Sequence, residues 1–85
     1  MKKIEYKITD DAGLHARPGG ILVKESRKFE SSITANNGDK SADCKKLFSL
    51  MELMAKTGDI ITITISGADE QLATTELATF LEENL

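Results

Sequence analysis

Eighty-five residues with 11 basic and 14 acidic side chains carry a formal net charge of −3, which argues against a general nucleic-acid binder and leaves room for one modest core. The composition, 40% hydrophobic and 29% charged, is that of an ordinary globular chain, and no apolar window reaches membrane-spanning length, so one domain over residues 1–85 with no membrane insertion is expected. The single Cys44 excludes an internal disulfide, fits a reducing compartment and, with no histidine near it in sequence, is expected to pack as a small hydrophobe.

Residues 2–8 alternate, with Ile4, Tyr6 and Ile8 on one face, and predict a strand instead of the apolar run of a secretory leader; a cytoplasmic address is expected. Thr9-Asp10-Asp11-Ala12-Gly13 supplies turn formers. Residues 16–28 predict a helix, with Pro18 tolerated in its first turn and Leu22 and Phe29 on a core-facing stripe. Pro18 also biases Arg17 away from helical angles, which predicts a distorted entrance. Gly19 and Gly20 each cost about 1 kcal/mol against alanine in a helix, and two readings stay open: a frayed first turn, or a bare backbone that a partner approaches closely.

Residues 31–43 predict a hairpin in which Ile33 and Ala35 alternate with polar residues before the turn Asn36-Asn37-Gly38-Asp39. Asp43 is the expected N-cap of a short helix whose Leu47, Leu50, Met51 and Met54 form a core stripe, with Phe48 off the stripe as an exposed apolar spot. After Thr57-Gly58-Asp59 the β-branched run Ile60–Ser66 is the clearest strand, Ile61, Ile63 and Ile65 on one side and Thr62, Thr64 and Ser66 on the other. Gly67 turns the chain, Asp69 is a candidate cap, and Leu72, Ala73, Leu77, Phe80 and Leu81 form the apolar side of a closing helix. The order βαββαβα predicts an α+β, open-faced two-layer sandwich: a four-stranded antiparallel sheet covered on one face by three helices. Pattern alone leaves the strand order open.

The chemistry concentrates on Leu14-His15-Ala16-Arg17-Pro18. A helix start presents amides without intrahelical acceptors and the positive end of the peptide dipoles, which suits a phosphate. Arg17 adds a planar fork for two phosphoryl oxygens. His15 is a fair nucleophile at neutral pH, and the helix end and Arg17 both favour its neutral ring. Elsewhere no Cys/His cluster suggests a metal, no Gly-Lys-Ser/Thr loop suggests a nucleotide, and Glu25, Glu30 and Glu76 read as solvated charges. Lys24, Arg27 and Lys28, with Lys45 and Lys46, are candidates for a positive rim around His15 that steers an acidic partner.

Gly13-Leu14-His15-Ala16-Arg17-Pro18 resembles throughout the signature of HPr, the histidine-containing phosphocarrier family of the bacterial phosphoenolpyruvate-dependent sugar phosphotransferase system, and Ser66-Gly67-Ala68-Asp69-Glu70 resembles that family's last strand-to-helix junction. The resemblance covers nearly the whole chain. It implies β1 beside β4 and a monomeric phosphoryl carrier without cofactor or metal, more aptly a carrier than an enzyme. It implies that His15 accepts phosphate on Nδ1 from enzyme I and passes it to IIA components, that Arg17 steadies the phosphoryl group beside the Ala16 and Arg17 amides, and that Leu47, Phe48 and Met51 dock against both partners. Gly20, Lys24 and Arg27 are expected to face those partners too. The chain departs from the family pattern in three ways. Lys46 stands where many Gram-positive members carry a regulatory serine, so no serine-kinase regulation is expected; Ala12 removes a polar neighbour of the histidine; Gly19 and Gly20 replace bulkier residues. Two alternatives remain: a regulatory HPr-like paralogue serving a signalling or non-sugar branch, and an α+β interaction module that carries no phosphate.

Overall fold

The β-branched run lies at the heart of the sheet. A computed structural model describes residues 1–84, so the last residue of the expected 1–85 domain lies outside the described residues. Its elements are β1 (Lys2–Lys7), α1 (Ala16–Ser26), β2 (Ser32–Asn37), β3 (Lys40–Asp43), α2 (Leu47–Met51), β4 (Ile60–Ser66) and α3 (Glu70–Asn84). The four strands run in the order β1-β4-β2-β3, every neighbouring pair antiparallel. β4 is therefore flanked on both sides, with Ile63 opposite Ile4 on β1 and opposite Ala35 on β2. Period-two alternation does the rest. Ile61, Ile63 and Ile65 are fully buried, while Thr62 and Thr64 on the other face stay partly exposed. The three isoleucines meet Leu22 and Val23 of α1, Leu50 of α2 and Ala73, Leu77 and Leu81 of α3 in one core cluster, and burying such side chains stabilises by about 1.5–3 kcal/mol each. Cys44 is fully buried within it, as expected.

Four expectations need correction. β1 ends at Lys7 and α1 at Ser26, each a little early, although Ile8 still exchanges two backbone bonds with the α2–β4 loop, donating to Asp59 and accepting from Gly58, both at 2.8 Å. The N-cap of α2 is Lys46, which makes no side-chain cap bond; Asp43 is held in β3 opposite Thr34, and its Oδ1 accepts the Lys45 amide at 2.9 Å. The core stripe continues through Leu53 rather than through Met51 and Met54, and Met54 is 65% exposed. The cause is length: α2 lasts five residues, so a seven-residue helical projection overruns it, and Met54 itself takes φ +53. On α3 only Ala73, Leu77 and Leu81, each four residues on from the last, are buried, which turns Leu72 to solvent.

The carboxylate of Asp69 reaches across to the start of β2, accepting the Glu30 and Ser31 amides at 2.9 Å each and the Ser31 hydroxyl. Glu70 reaches back instead, its Oε1 accepting the Gly67 amide at 3.1 Å. The β4–α3 junction is thereby tied to the α1–β2 junction.

Candidate functional site

The loop from β1 to α1 is clamped before it delivers its histidine. Gly13 takes φ +74, and a Cβ there would lie 2.3 Å from the Ala55 carbonyl oxygen, so no other residue fits without moving backbone. The next amide, Leu14, donates to that carbonyl at 2.9 Å, and the Leu14 side chain is buried. Asp10 is anchored as well: its carbonyl accepts the Gly13 amide at 2.9 Å and the Thr57 hydroxyl. Both clamps come from the α2–β4 loop, more than forty residues downstream.

His15 follows as the N-cap of α1, extended at φ −95 and ψ −164, its carbonyl accepting the Gly19 amide at 2.8 Å. The helix begins at Ala16 without delay, so the expected distortion before Pro18 does not postpone it. The Ala16 and Arg17 amides belong to the first turn, where no intrahelical acceptor exists, and Pro18 has no donor to leave unpaired. The imidazole is 39% exposed and makes no cap bond. It is neither walled in nor free: Nε2 lies 3.1 Å from Oδ1 of Asp10.

Asp10 is the site residue that sequence reasoning missed. The stretch Thr9–Gly13 reads as a turn, and the available signal was a carboxylate in the loop feeding a helix-start histidine. Oδ1 of Asp10 also accepts the Ala12 amide at 3.0 Å. That amide is the chief cause holding the Asp10 carboxyl below its ordinary range; desolvation, next in size, opposes it, and the bond to His15 and the charges of His15 and Arg17 add smaller contributions in the lowering direction. Arg17 is exposed and, with Asp10, Leu14, Pro18 and Tyr6, lines a cleft of about 130 Å³ beside the site.

Other expected residues divide by position. Gly20, Lys24 and Arg27 share one face of α1 by spacing, Lys24 and Arg27 exposed and Gly20 half-exposed. Arg27 stands twelve residues from His15, roughly 18 Å along the helix axis, and its Nε donates to the Lys45 carbonyl at 2.8 Å. Lys45 Nζ donates to the Phe29 carbonyl at 2.6 Å, and Lys28 pairs with Glu25 at 2.8 Å. Arg27, Lys28 and Lys45 are thereby engaged around the far end of α1 and the Phe29 carbonyl. Glu25, expected to be solvated, is buried behind Lys28, whereas Glu30 and Glu76 are exposed.

Gly19 is not frayed but buried, and a Cβ on it would stand 3.1 Å from Cδ1 of Leu47. Its bareness lets α2 pack against the first turn of α1. Leu47 is half-buried there, Met51 is exposed and Phe48 is 81% exposed, so the apolar spot adjoins the helix that begins at His15. Among the described residues no group of three or more metal-ligating side chains converges, and no helix is long and apolar enough to cross a membrane.

An open-faced sandwich that offers a half-exposed imidazole at a helix head, with an apolar spot on the adjoining helix, defines a small α+β domain that presents a histidine at its surface. Comparison with known proteins agrees. The family model described as the PTS HPr component phosphorylation site matches residues 2–83. The phosphocarrier protein HPr of Buchnera aphidicola is 46% identical over 81 residues, covering 95% of each chain, and that of Haemophilus influenzae is 42% identical over 81 residues with the same coverage. Among solved structures, the histidine-containing phosphocarrier protein of Mycoplasma superposes with a TM-score of 0.90 at 36% identity, covering 96% of this chain and 93% of its own. The chain belongs to the HPr family of phosphotransferase-system phosphocarriers.

Proposed function

We propose that this protein is a phosphoryl carrier of the bacterial sugar phosphotransferase system, a single domain that works as a monomer in the cytoplasm without cofactor or metal. His15 takes a phosphoryl group on Nδ1 from phosphorylated enzyme I and passes it to IIA components. The observation that carries this reading is the half-exposed His15 ring at the N-terminus of α1, held on its Nε2 side by Asp10. Nδ1 is then the nitrogen left to attack phosphorus. Charge on the phosphoryl oxygens meets the free Ala16 and Arg17 amides and the Arg17 guanidinium. Leu47, Phe48 and Met51 supply the apolar centre of the docking surface, and Gly20, Lys24 and Arg27 its edge; a carrier that must also let go needs only a small interface.

Incubation with phosphoenolpyruvate and enzyme I tests the reading. An acid-labile, base-stable phosphate on His15 is expected, with His15→Ala folded but inert; a wild-type chain that takes up no phosphate, or takes it elsewhere, sinks it. Regulation through a serine kinase is not expected, since residue 46 is lysine and the nearby Ser49 hydroxyl already accepts the Asp43 amide at 3.0 Å. A stoichiometric serine phosphate after incubation with such a kinase overturns that expectation.

A further inference from the structure

We infer that Asp10 is the positioning residue of this phosphocarrier: it holds the Nε2–H edge of His15, so that Nδ1 presents its lone pair, and it stands as counter-charge to the ring once that ring is phosphorylated. The inference rests on the carrier reading and adds to it a residue that the His15-Ala16-Arg17-Pro18 motif does not contain. Its geometric basis is the 3.1 Å approach of Oδ1 to Nε2, made by a carboxylate that is itself fixed in place. The Ala12 amide donates to the same oxygen at 3.0 Å, and the Asp10 carbonyl is bonded to the Gly13 amide and the Thr57 hydroxyl.

The chemistry follows from charge balance. In the neutral ring a carboxylate at Nε2 selects the tautomer with its proton on Nε2, as an oriented acid group does for any imidazole. The Nδ1 lone pair then forms the new N–P bond while the bond between the donor and phosphorus breaks and leaves its electron pair on the donor. No proton moves in that step. The His15 ring keeps its Nε2–H and becomes an N-phosphorylated imidazolium, whose positive charge faces Asp10. On discharge the N–P electrons return to Nδ1, and the protonated ring is the better leaving group. Asp10 therefore keeps the phosphoryl group transferable to higher pH. Charged groups on the elements that hold this loop include Asp11 of the same loop, Arg17 of α1, whose charge also bears on Asp10, and Lys56 and Asp59 of the loop that clamps Gly13, the Asp59 carboxylate accepting the Lys56 amide at 2.9 Å.

Two variants test this. Asp10→Asn retains an oxygen for the Ala12 amide and so preserves the turn while removing the charge; Asp10→Ala removes both. In ¹⁵N-labelled unphosphorylated protein the wild-type ring is expected in the Nε2–H tautomer, with a shift toward a mixture in Asp10→Ala. With the phosphorylated proteins, discharge to a IIA component is followed against pH. The pH at which discharge slows is expected to fall by about one unit in Asp10→Asn, the size of effect a single opposed charge produces. At a pH on that limb this is about tenfold slower transfer. A wild type that is phosphorylated on His15, with both variants unchanged in tautomer and pH profile, overturns this inference alone. A wild type that takes no phosphate overturns the carrier reading and the transfer role with it.

Discussion

Gly19 faces Leu47 so closely that a methyl group on it would stand 3.1 Å from the Leu47 Cδ1, whereas a methyl on the next residue, Gly20, would meet nothing within 4 Å. The two adjacent glycines therefore answer differently to the same substitution. Gly20→Ala is expected to stabilise the protein by about 0.5–1 kcal/mol, because it removes the helical handicap of glycine at no steric cost. Gly19→Ala is expected to gain less than that, since Leu47 must yield. Urea unfolding of both variants reads the difference as a rise in midpoint at unchanged slope.

Asp69 makes the pH dependence of stability asymmetric. Its carboxyl is held below the ordinary range, first by the Ser31 hydroxyl and next by the Glu30 amide. A carboxyl lowered on folding contributes stability that is present above its unfolded value, about pH 4, and is lost as the pH falls through its folded value. Unfolding midpoints measured from pH 7 down to pH 2 are expected to fall most steeply at the acid end, and Asp69→Asn is expected to flatten that limb.

Phe48 and Leu50 sit two residues apart on α2 and are expected to fail in opposite assays. Phe48 is 81% exposed, so Phe48→Ala leaves the unfolding midpoint nearly unchanged while raising the KM for enzyme I by about tenfold, as loss of an aromatic anchor does. Leu50 is fully buried, so Leu50→Ala costs about 2–5 kcal/mol of stability. Equal loss of stability in the two variants contradicts the placement of Phe48 on the surface.

Cys44 is expected to be inert in the folded chain. Burial, with a smaller contribution from the Asp43 charge, pushes its thiol up to about 12. Labelling with a thiol-specific reagent at neutral pH is expected to proceed only through unfolding, and so to accelerate with urea in step with loss of structure; fast labelling of the native protein refutes this.

Elements with their own periodic signal were legible from residue order alone. The Ile61-Ile63-Ile65 face of β4 and the first helix at Ala16 stand where local pattern put them, and the hairpin turn falls on Gly38-Asp39, the latter half of the expected Asn36–Asp39, because Asn36 and Asn37 pair with Ser41 and Lys40 in the ladder. Helix ends and short helices were not. α2 is too brief to sustain a stripe, so Met51 and Met54 turned outward and Leu53 inward; Asp43 was claimed by β3 before it was free to cap anything. In the candidate site, His15 at a helix head was readable from the proline and glycine that punctuate its neighbourhood. The partner at its Nε2 was not.

Residue order by itself determined which segments become strand or helix and that an imidazole opens the first of those helices, because each of these rests on side-chain period or on the backbone limits of glycine and proline within a few residues. Tertiary structure alone decided that Asp10 turns toward that imidazole and that α2 lies against Gly19. Both depend on contacts between segments remote in sequence, the Ala55–Thr57 loop upon residues 10–14 and Leu47 upon Gly19, and no local periodicity encodes which distant backbone will close on which.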